Sequence, residues 1–333
     1  MFSNKMTKRI TDLTFSCQLY QGSNAVDALW TDCIREGVLR PVVVIAGTTR
    51  YQKAIVKKLK KVITSDVVLF TVDEVNTSDL SELIEPFDYL ILCGDQGVLD
   101  VADLAKQVFR IHKKIAYIPN GLHLADLSVC SSIAIDPDFC IHTTVNDTGA
   151  IACSSLFQFI TTYAVFDSIV MDSWIATGLS LLVKALSSIT GNDYLRLNEP
   201  DNTSDVITSG FIAALCAANR GNKPIVGLSK ALTVTDWSNI HQSRAALLPH
   251  MLTLMKQQDR HRYAEFAFMI GSDPIAFVNR WIEIAGYRHN SLIIKKLLVQ
   301  NFELLRNELA LQDLKPLFES ITINDEETGG IRT

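Results

Sequence analysis

Short unbroken apolar runs alternate with stretches of helical spacing through residue 118, and helical spacing alone follows. Phe15–Leu19 suits an edge strand, and Asn24–Gly37 a helix closed by Gly37. Pro41–Ala46 is a continuous apolar run of the kind buried on both faces of a parallel sheet. In the segment after it, Ile55, Leu59 and Val62 share one helical face. Lys53, Lys57, Lys58, Lys60 and Lys61 cover the others, as on a solvated basic helix. Val67–Thr71 predicts a strand and Ser78–Leu83 a short helix. Tyr89–Leu92 then predicts a buried strand, followed by a glycine turn, a helix, a strand over Ile115–Ile118 and a Pro-Asn-Gly loop. Strands alternating with helices predict an α/β, Rossmann-like parallel sheet.

No such alternation follows residue 150. Trp174–Ser188 carries Ile175, Leu179, Leu182 and Leu186 at helical spacing, and Thr208–Ala218 is small and apolar. Arg244–Gln257 and Tyr263–Phe268 continue the helical pattern. Asp273-Pro274 starts a helix over Ile275–Ala285 that Gly286 ends, and Leu292–Leu311 is a last helix. The expected organisation is a Rossmann-like domain over 1–150, an all-α-helical domain over 151–323 and a disordered tail over 324–333, with a cleft between the two domains. The uncharged run Thr148–Phe166 is broken by serines, threonines and a glutamine, which suits a buried core helix and not a membrane span.

Composition narrows the function classes. A net charge of −5 argues against a general nucleic-acid binder, whose footprint is basic. The seven cysteines stand singly, without a CxxC pair, which points to no disulfide framework, no thiolate zinc site and a reducing cytoplasm. The first residues, MFSNKMTKRITDLTF, are polar and lack a signal-peptide core. No GxSxG nucleophile elbow occurs. Cys93 precedes the glycine turn and reads as a buried strand-end thiol. His250 and His261, with Arg260 and Arg262, read as surface residues.

Five segments fall in a telling order: Gly94-Asp95-Gln96-Gly97-Val98-Leu99-Asp100, Ile118-Pro119-Asn120-Gly121 with Asp126-Leu127-Ser128-Val129, Gly178-Leu179-Ser180-Leu181-Leu182-Val183-Lys184, Gly227-Leu228-Ser229, and His241-Gln242-Ser243-Arg244-Ala245. They resemble, respectively, the GGG-x-x-x-D turn, the Pro-Thr-Thr loop with its Asp-x-Ser-Val stretch, and the Gly-Leu-Ala-Glu-Val-Ile-Lys, Gly-His-Thr and His-Gly-Glu-Ala-Val segments of one superfamily. That superfamily comprises dehydroquinate synthases, glycerol dehydrogenases, glycerol-1-phosphate dehydrogenases and iron-containing alcohol dehydrogenases, and the likeness spans roughly residues 15 to 290. It implies a dehydroquinate synthase-like fold, NAD(P) at the glycine turn and a metal held by an acidic residue and two histidines.

The residues depart from that inheritance at both sites. A catalytic metal needs about three protein ligands. The acidic position falls on Leu181 or Ser180 and the first histidine on Leu228 or Val226, so His241 alone remains and neither zinc nor iron is expected. At the turn, bare glycine backbone would approach a pyrophosphate, but Asp95 places a carboxylate there. Two unit charges about 5 Å apart at an effective dielectric of about 20 repel by roughly 3 kcal/mol, about two orders of magnitude in affinity. Asp103 stands where the family has a lysine, and Asn120-Gly121 replace the Thr-Thr pair.

The expectation is a degenerate dehydroquinate synthase or polyol dehydrogenase-like protein without the metal site or ordinary NAD binding. It would act as a pseudoenzyme or as a small-ligand binding and interaction protein, cytoplasmic, with no resident cofactor, no nucleic-acid or membrane partner, and the homodimeric state common in the superfamily. The alternative is an NAD(P)-dependent oxidoreductase or carbon–oxygen lyase acting on a phosphorylated sugar or polyol. Lys184, His241 and Asp126 would then line the cleft, with Gly94, Asp95, Gln96, Gly97, Asp100, Asn120 and Gly121 around the cofactor. Two of these sites keep a second reading, Lys184 as a lysine snorkelling from a core helix and His241 as a helix-start residue near Asp236 and Asn239, and Arg244, one turn on from His241, reads as either an anion partner or a surface residue.

Overall fold

The computed structural model describes residues 18–46, 49–63, 68–72, 88–94, 114–119, 130–139, 144–163, 169–189, 193–220 and 240–287. The expected helices over Ser78–Leu83, after the glycine turn and over Leu292–Leu311, together with the tail, lie outside them. By its contacts the chain divides into two units, one of Thr14–Thr148 with Ser188–Thr208, the other built on Gly149–Ser187 and Ser209–Thr333.

The first unit holds a six-stranded parallel sheet. Its strands are β1 (Gln18–Gln21), β2 (Pro41–Ala46), β3 (Val68–Val72), β4 (Tyr89–Gly94), β5 (Lys114–Pro119) and β6 (Ser132–Ile135), in the order β1-β6-β5-β4-β2-β3. All pairings are parallel. The strand β6 escaped the sequence reading, which ended the sheet at residue 118. Its SIAI core is too short to separate from a loop by periodicity alone, and pairing with β1 on one side and β5 on the other makes it a strand.

Both faces of the sheet are buried along β2, β4, β5 and β6, which accounts for the unbroken apolar runs. One face presents Val43, Ile45, Ile91, Cys93, Ala116, Ile118 and Ala134 to α1 (Ala25–Arg35) and α2 (Thr49–Val62). These helices contribute Leu29, Trp30, Cys33, Ile55 and Leu59 to the same core. The alternate residues Val42, Val44, Leu90, Leu92, Ile115, Tyr117 and Ile133 are buried as well. Each large apolar side chain so buried stabilises the fold by about 1.5–3 kcal/mol. Between β3 and β4 the chain crosses back over β2, so the strand order reverses between β2 and β4. In open parallel sheets ligands bind at such a switch point, beyond the carboxyl ends of the strands.

The remaining helices are α3 (Val145–Tyr163), α4 (Ile169–Ser187), α5 (Pro200–Arg220), α6 (Ile240–Gln258), α7 (Arg260–Ile270) and α8 (Pro274–Ile284); they form the helical unit except for the start of α3 through Thr148, the 3-10 turn at Tyr194–Asn198 and the part of α5 through Thr208, which count with the sheet unit. A reciprocal box starts α3: Thr144 Oγ1 accepts from Asp147 N at 3.2 Å, and Asp147 Oδ2 accepts from Thr144 N at 2.9 Å. Asp273 caps α8 by accepting from Ala276 N at 3.0 Å, with Pro274 at the first helical position. Helix α6 packs on α7 and α8, and α7 on α4. By length and composition α4 could cross a membrane, but Met171, Ile175, Leu179, Leu182 and Ala185 form a buried stripe opposite exposed Ser173, Thr177, Ser180, Lys184 and Ser187. That is the pattern of an amphipathic core helix. The histidine His250, expected at the surface, is 5% exposed on α6 and lies within the core, whereas His261 is exposed.

Candidate functional site

At the sheet, Gly94 ends β4 with φ 142°, a conformation that L side chains rarely adopt. Its carbonyl accepts a hydrogen bond from Tyr117 Oη at 3.0 Å, and in register it stands beside Pro119, the last residue of β5. The chain therefore leaves β4 toward Asp95 and β5 toward Asn120 from neighbouring positions at the carboxyl end of the sheet, and β4 is one of the two strands that flank the switch point. The remaining expected cofactor residues Asp95, Gln96, Gly97, Asp100, Asn120 and Gly121, and Asp126 with them, lie outside the described residues. The thiol of Cys93 is wholly buried, and burial pushes its pKa up, so it remains protonated and unreactive.

In the helical unit, His241 is the second residue of α6 and is half-buried. Its Nδ1 lies 2.5 Å from the hydroxyl of Ser154 on α3. One turn further along each helix, the Arg244 guanidinium lies over the Phe157 ring, 5.8 Å from its centroid. Burial pushes the Arg244 pKa down to about 10. Its Nε is closed off from solvent and has no hydrogen-bond partner among the described residues. Arg244 is thus only partly exposed, which removes the surface reading. Lys184 sits on the exposed face of α4, one turn after Ser180.

Ser154 was not visible in the sequence as a functional residue. The signal was the unusual density of hydroxyls in an otherwise apolar helix: Ser154, Ser155, Thr161 and Thr162 are all buried in α3. Of these, Ser155 and Thr161 return their hydroxyls to helix carbonyls, whereas Ser154 reaches across to another helix. The Ser–His pair is poorly placed for acyl transfer. Ser154 lies mid-helix, where backbone N–H groups are committed to the helix and supply no oxyanion hole.

The described residues around His241 do not fit a divalent metal. No three His, Cys, Asp or Glu side chains converge among the described residues. The Nδ1 of His241 is engaged by Ser154, and a guanidinium one turn away would repel a dication. At the inherited acidic position, Leu181 is half-buried and Ser180 donates its hydroxyl to the Thr177 carbonyl at 2.7 Å.

No protein-family model matches the chain, and no curated protein sequence matches it. Solved structures do. An iron-containing alcohol dehydrogenase from Corynebacterium glutamicum matches with a TM-score of 0.70 at 16% identity, covering 96% of this chain and 97% of that one. A sulfoacetaldehyde reductase from Bifidobacterium kashiwanohense, solved in complex with NAD+, matches with a TM-score of 0.69 at 12% identity, over 90% of this chain and 93% of the other. A maleylacetate reductase from Agrobacterium tumefaciens matches at 0.63 and 14% identity, over 95% and 92%. The chain has the fold of the iron-containing alcohol dehydrogenases, with a Rossmann-like parallel-sheet part followed by a helical part, as its motif order implies.

Proposed function

We propose that this chain is a metal-independent, dehydrogenase-like protein that has given up the inherited metal site and ordinary NAD binding and serves to bind a small ligand. The observation that carries the reading is Arg244, a partly buried cation one turn from His241 whose Nε is closed off from solvent. A site built around a permanent guanidinium favours an anionic ligand and disfavours zinc or iron. The five described cysteines are buried thiols outside any disulfide, which supports a reducing, cytoplasmic location. The ligand class that fits is a small phosphorylated or oxidised polyol, bound without nucleic acid or membrane by a homodimer.

One observation favours a second reading, an NAD(P)-dependent oxidoreductase or carbon–oxygen lyase. Gly94 stands at the switch point beside Pro119, where a dinucleotide would bind, and a protein of the same fold has been solved with NAD+. Elemental analysis of the purified protein, with melting curves in NAD(H), NADP(H), zinc and iron, separates the two. A nucleotide at about a hundred times its dissociation constant adds about 2.7 kcal/mol, seen as a raised melting temperature. The first reading expects no nucleotide shift and no stoichiometric metal, and a clear shift together with bound metal sinks it.

A further inference from the structure

We propose that the Arg244 guanidinium, the Ser154–His241 pair and the first turn of α6 form a binding site for the oxyanion of a small ligand, a carboxylate or a phosphate group. The proposal deepens the metal-independent reading above. The Arg244 Cζ lies over the Phe157 ring, 5.8 Å from its centroid, and a guanidinium held by its charge against a ring keeps an N–H edge to hydrogen-bond. On that edge Nε is shielded from water and unpartnered among the described residues. A buried donor on a permanent cation is costly to leave unpaired, and an acceptor carrying negative charge is the partner that offsets both costs.

The surroundings favour the same charge. The helix α6 spans 19 residues and carries no acidic side chain in its first turn, so no carboxylate of that turn offsets the positive end of its dipole. Side chains on a helix lean toward its N-terminus, which carries the guanidinium of Arg244, the fifth residue of α6, toward that end. The Ser154–His241 pair lies one turn closer to the same end. Guanidinium forks pair two N–H groups with two oxygens of one carboxylate or phosphate, so the ligand presents a compact oxyanion.

The test uses the full-length protein as purified, with its metal content measured first. Melting is followed while inorganic phosphate is added in one arm and succinate in the other, against sodium chloride of matched ionic strength. The wild type is expected to gain melting temperature with at least one of the two anions, and the responding arm identifies the ligand chemistry. Arg244→Met, which keeps the stem and removes the charge, is expected to bind that anion roughly ten- to hundredfold more weakly. Its ligand-free melting temperature should equal or exceed that of the wild type, because an uncompensated buried charge has gone. Arg244→Lys, which keeps charge but loses the fork, should fall between the two and carries the comparison if the methionine variant does not fold. A wild-type response no larger than that to chloride, or an Arg244 variant that responds as the wild type does, overturns the proposal. Stoichiometric metal in the untreated protein would overturn the metal-independent reading instead, whatever the anions do.

Discussion

The Ser154 hydroxyl and Nδ1 of His241 meet at 2.5 Å, joining α3 to the first turn of α6. This contact holds the imidazole by one nitrogen and ties two helices that lie 87 residues apart in sequence. Ser154→Ala leaves that nitrogen without its hydroxyl partner, and losing one member of a shielded hydrogen bond costs about 1–3 kcal/mol. Urea unfolding should show a loss of about that size, whereas Ser155→Ala, whose hydroxyl only returns to the Ile151 carbonyl, should cost less. Equal effects at the two serines would mean that the interhelical contact contributes nothing beyond ordinary helix propensity.

Two glycines of the helical unit should respond differently to the same change. Alanine favours a helix over glycine by about 1 kcal/mol. At Gly178 on α4, however, a Cβ would run into the Phe159 ring of α3, and at Gly149 on α3 it would lie 2.5 Å from the backbone nitrogen of Ala285. Overpacking of this kind costs about 1–3 kcal/mol, enough to reverse the propensity gain. Both alanine variants are expected to lower the urea midpoint. Phe159→Leu should recover part of the loss at Gly178, because the obstacle there is a side chain. No side-chain replacement should rescue Gly149→Ala, whose obstacle is backbone. Additive behaviour of Gly178→Ala with Phe159→Leu would contradict the packing account.

These contacts also show where the sequence was legible and where it was not. The bounds of β2 could be read directly, because a strand buried on both faces is apolar throughout. The end of α1 was marked by Gly37 and the start of α8 by Asp273-Pro274, since caps are written in local residue types. Helices α4 and α5 begin earlier than their apolar spacing suggested, at Ile169 and Pro200, because α4 opens on exposed residues and the buried residues that open α5, Asn202, Thr203, Ser204 and Asp205, are polar. The pairing of Ser154 with His241 and the enclosure of Arg244 were hidden for a different reason. Each depends on which helix faces which, and that is set by tertiary packing.

Asp136 gives a prediction with a definite sign. It follows β6 directly, is 2% exposed, and accepts from Val26 N at 3.2 Å and Asp138 N at 3.0 Å, so it serves the first turn of α1, where Asn24 supplies no side-chain cap. Burial raises its pKa, with Asp138 and Asp27 adding to the shift and the two backbone N–H groups opposing it. A carboxyl whose folded pKa lies above its unfolded value favours the fold while protonated. Its contribution is complete below the unfolded pKa, about 3.9, and is lost as pH rises through the folded value. Asp136→Asn does not titrate. The stability of the wild type relative to this variant should therefore fall as pH rises from about 4 until the folded pKa has been passed. Urea midpoints across that range test it, and a difference independent of pH would show that the group is not perturbed.

The sharpest test of the sheet site is Asp95→Gly combined with Gln96→Gly. Gly94 and Pro119 end adjacent strands in register, β4 flanks the switch point, and Gly94 holds a backbone conformation that L side chains rarely adopt. What departs from a phosphate cradle is the chemistry of the next two residues, a carboxylate and an amide where bare backbone would serve. If charge repulsion of roughly 3 kcal/mol is the main obstacle, its removal should raise affinity for NAD about a hundredfold. Isothermal titration of both proteins with NAD and with adenosine diphosphate measures this directly. The diphosphate isolates the pyrophosphate contact from the nicotinamide-side loop, where Asn120-Gly121 have also changed. Tighter binding of both ligands would locate the loss at Asp95. Gain for the diphosphate alone would place a second loss at Asn120-Gly121, and no gain for either would show that the turn is closed to nucleotides for a reason other than charge.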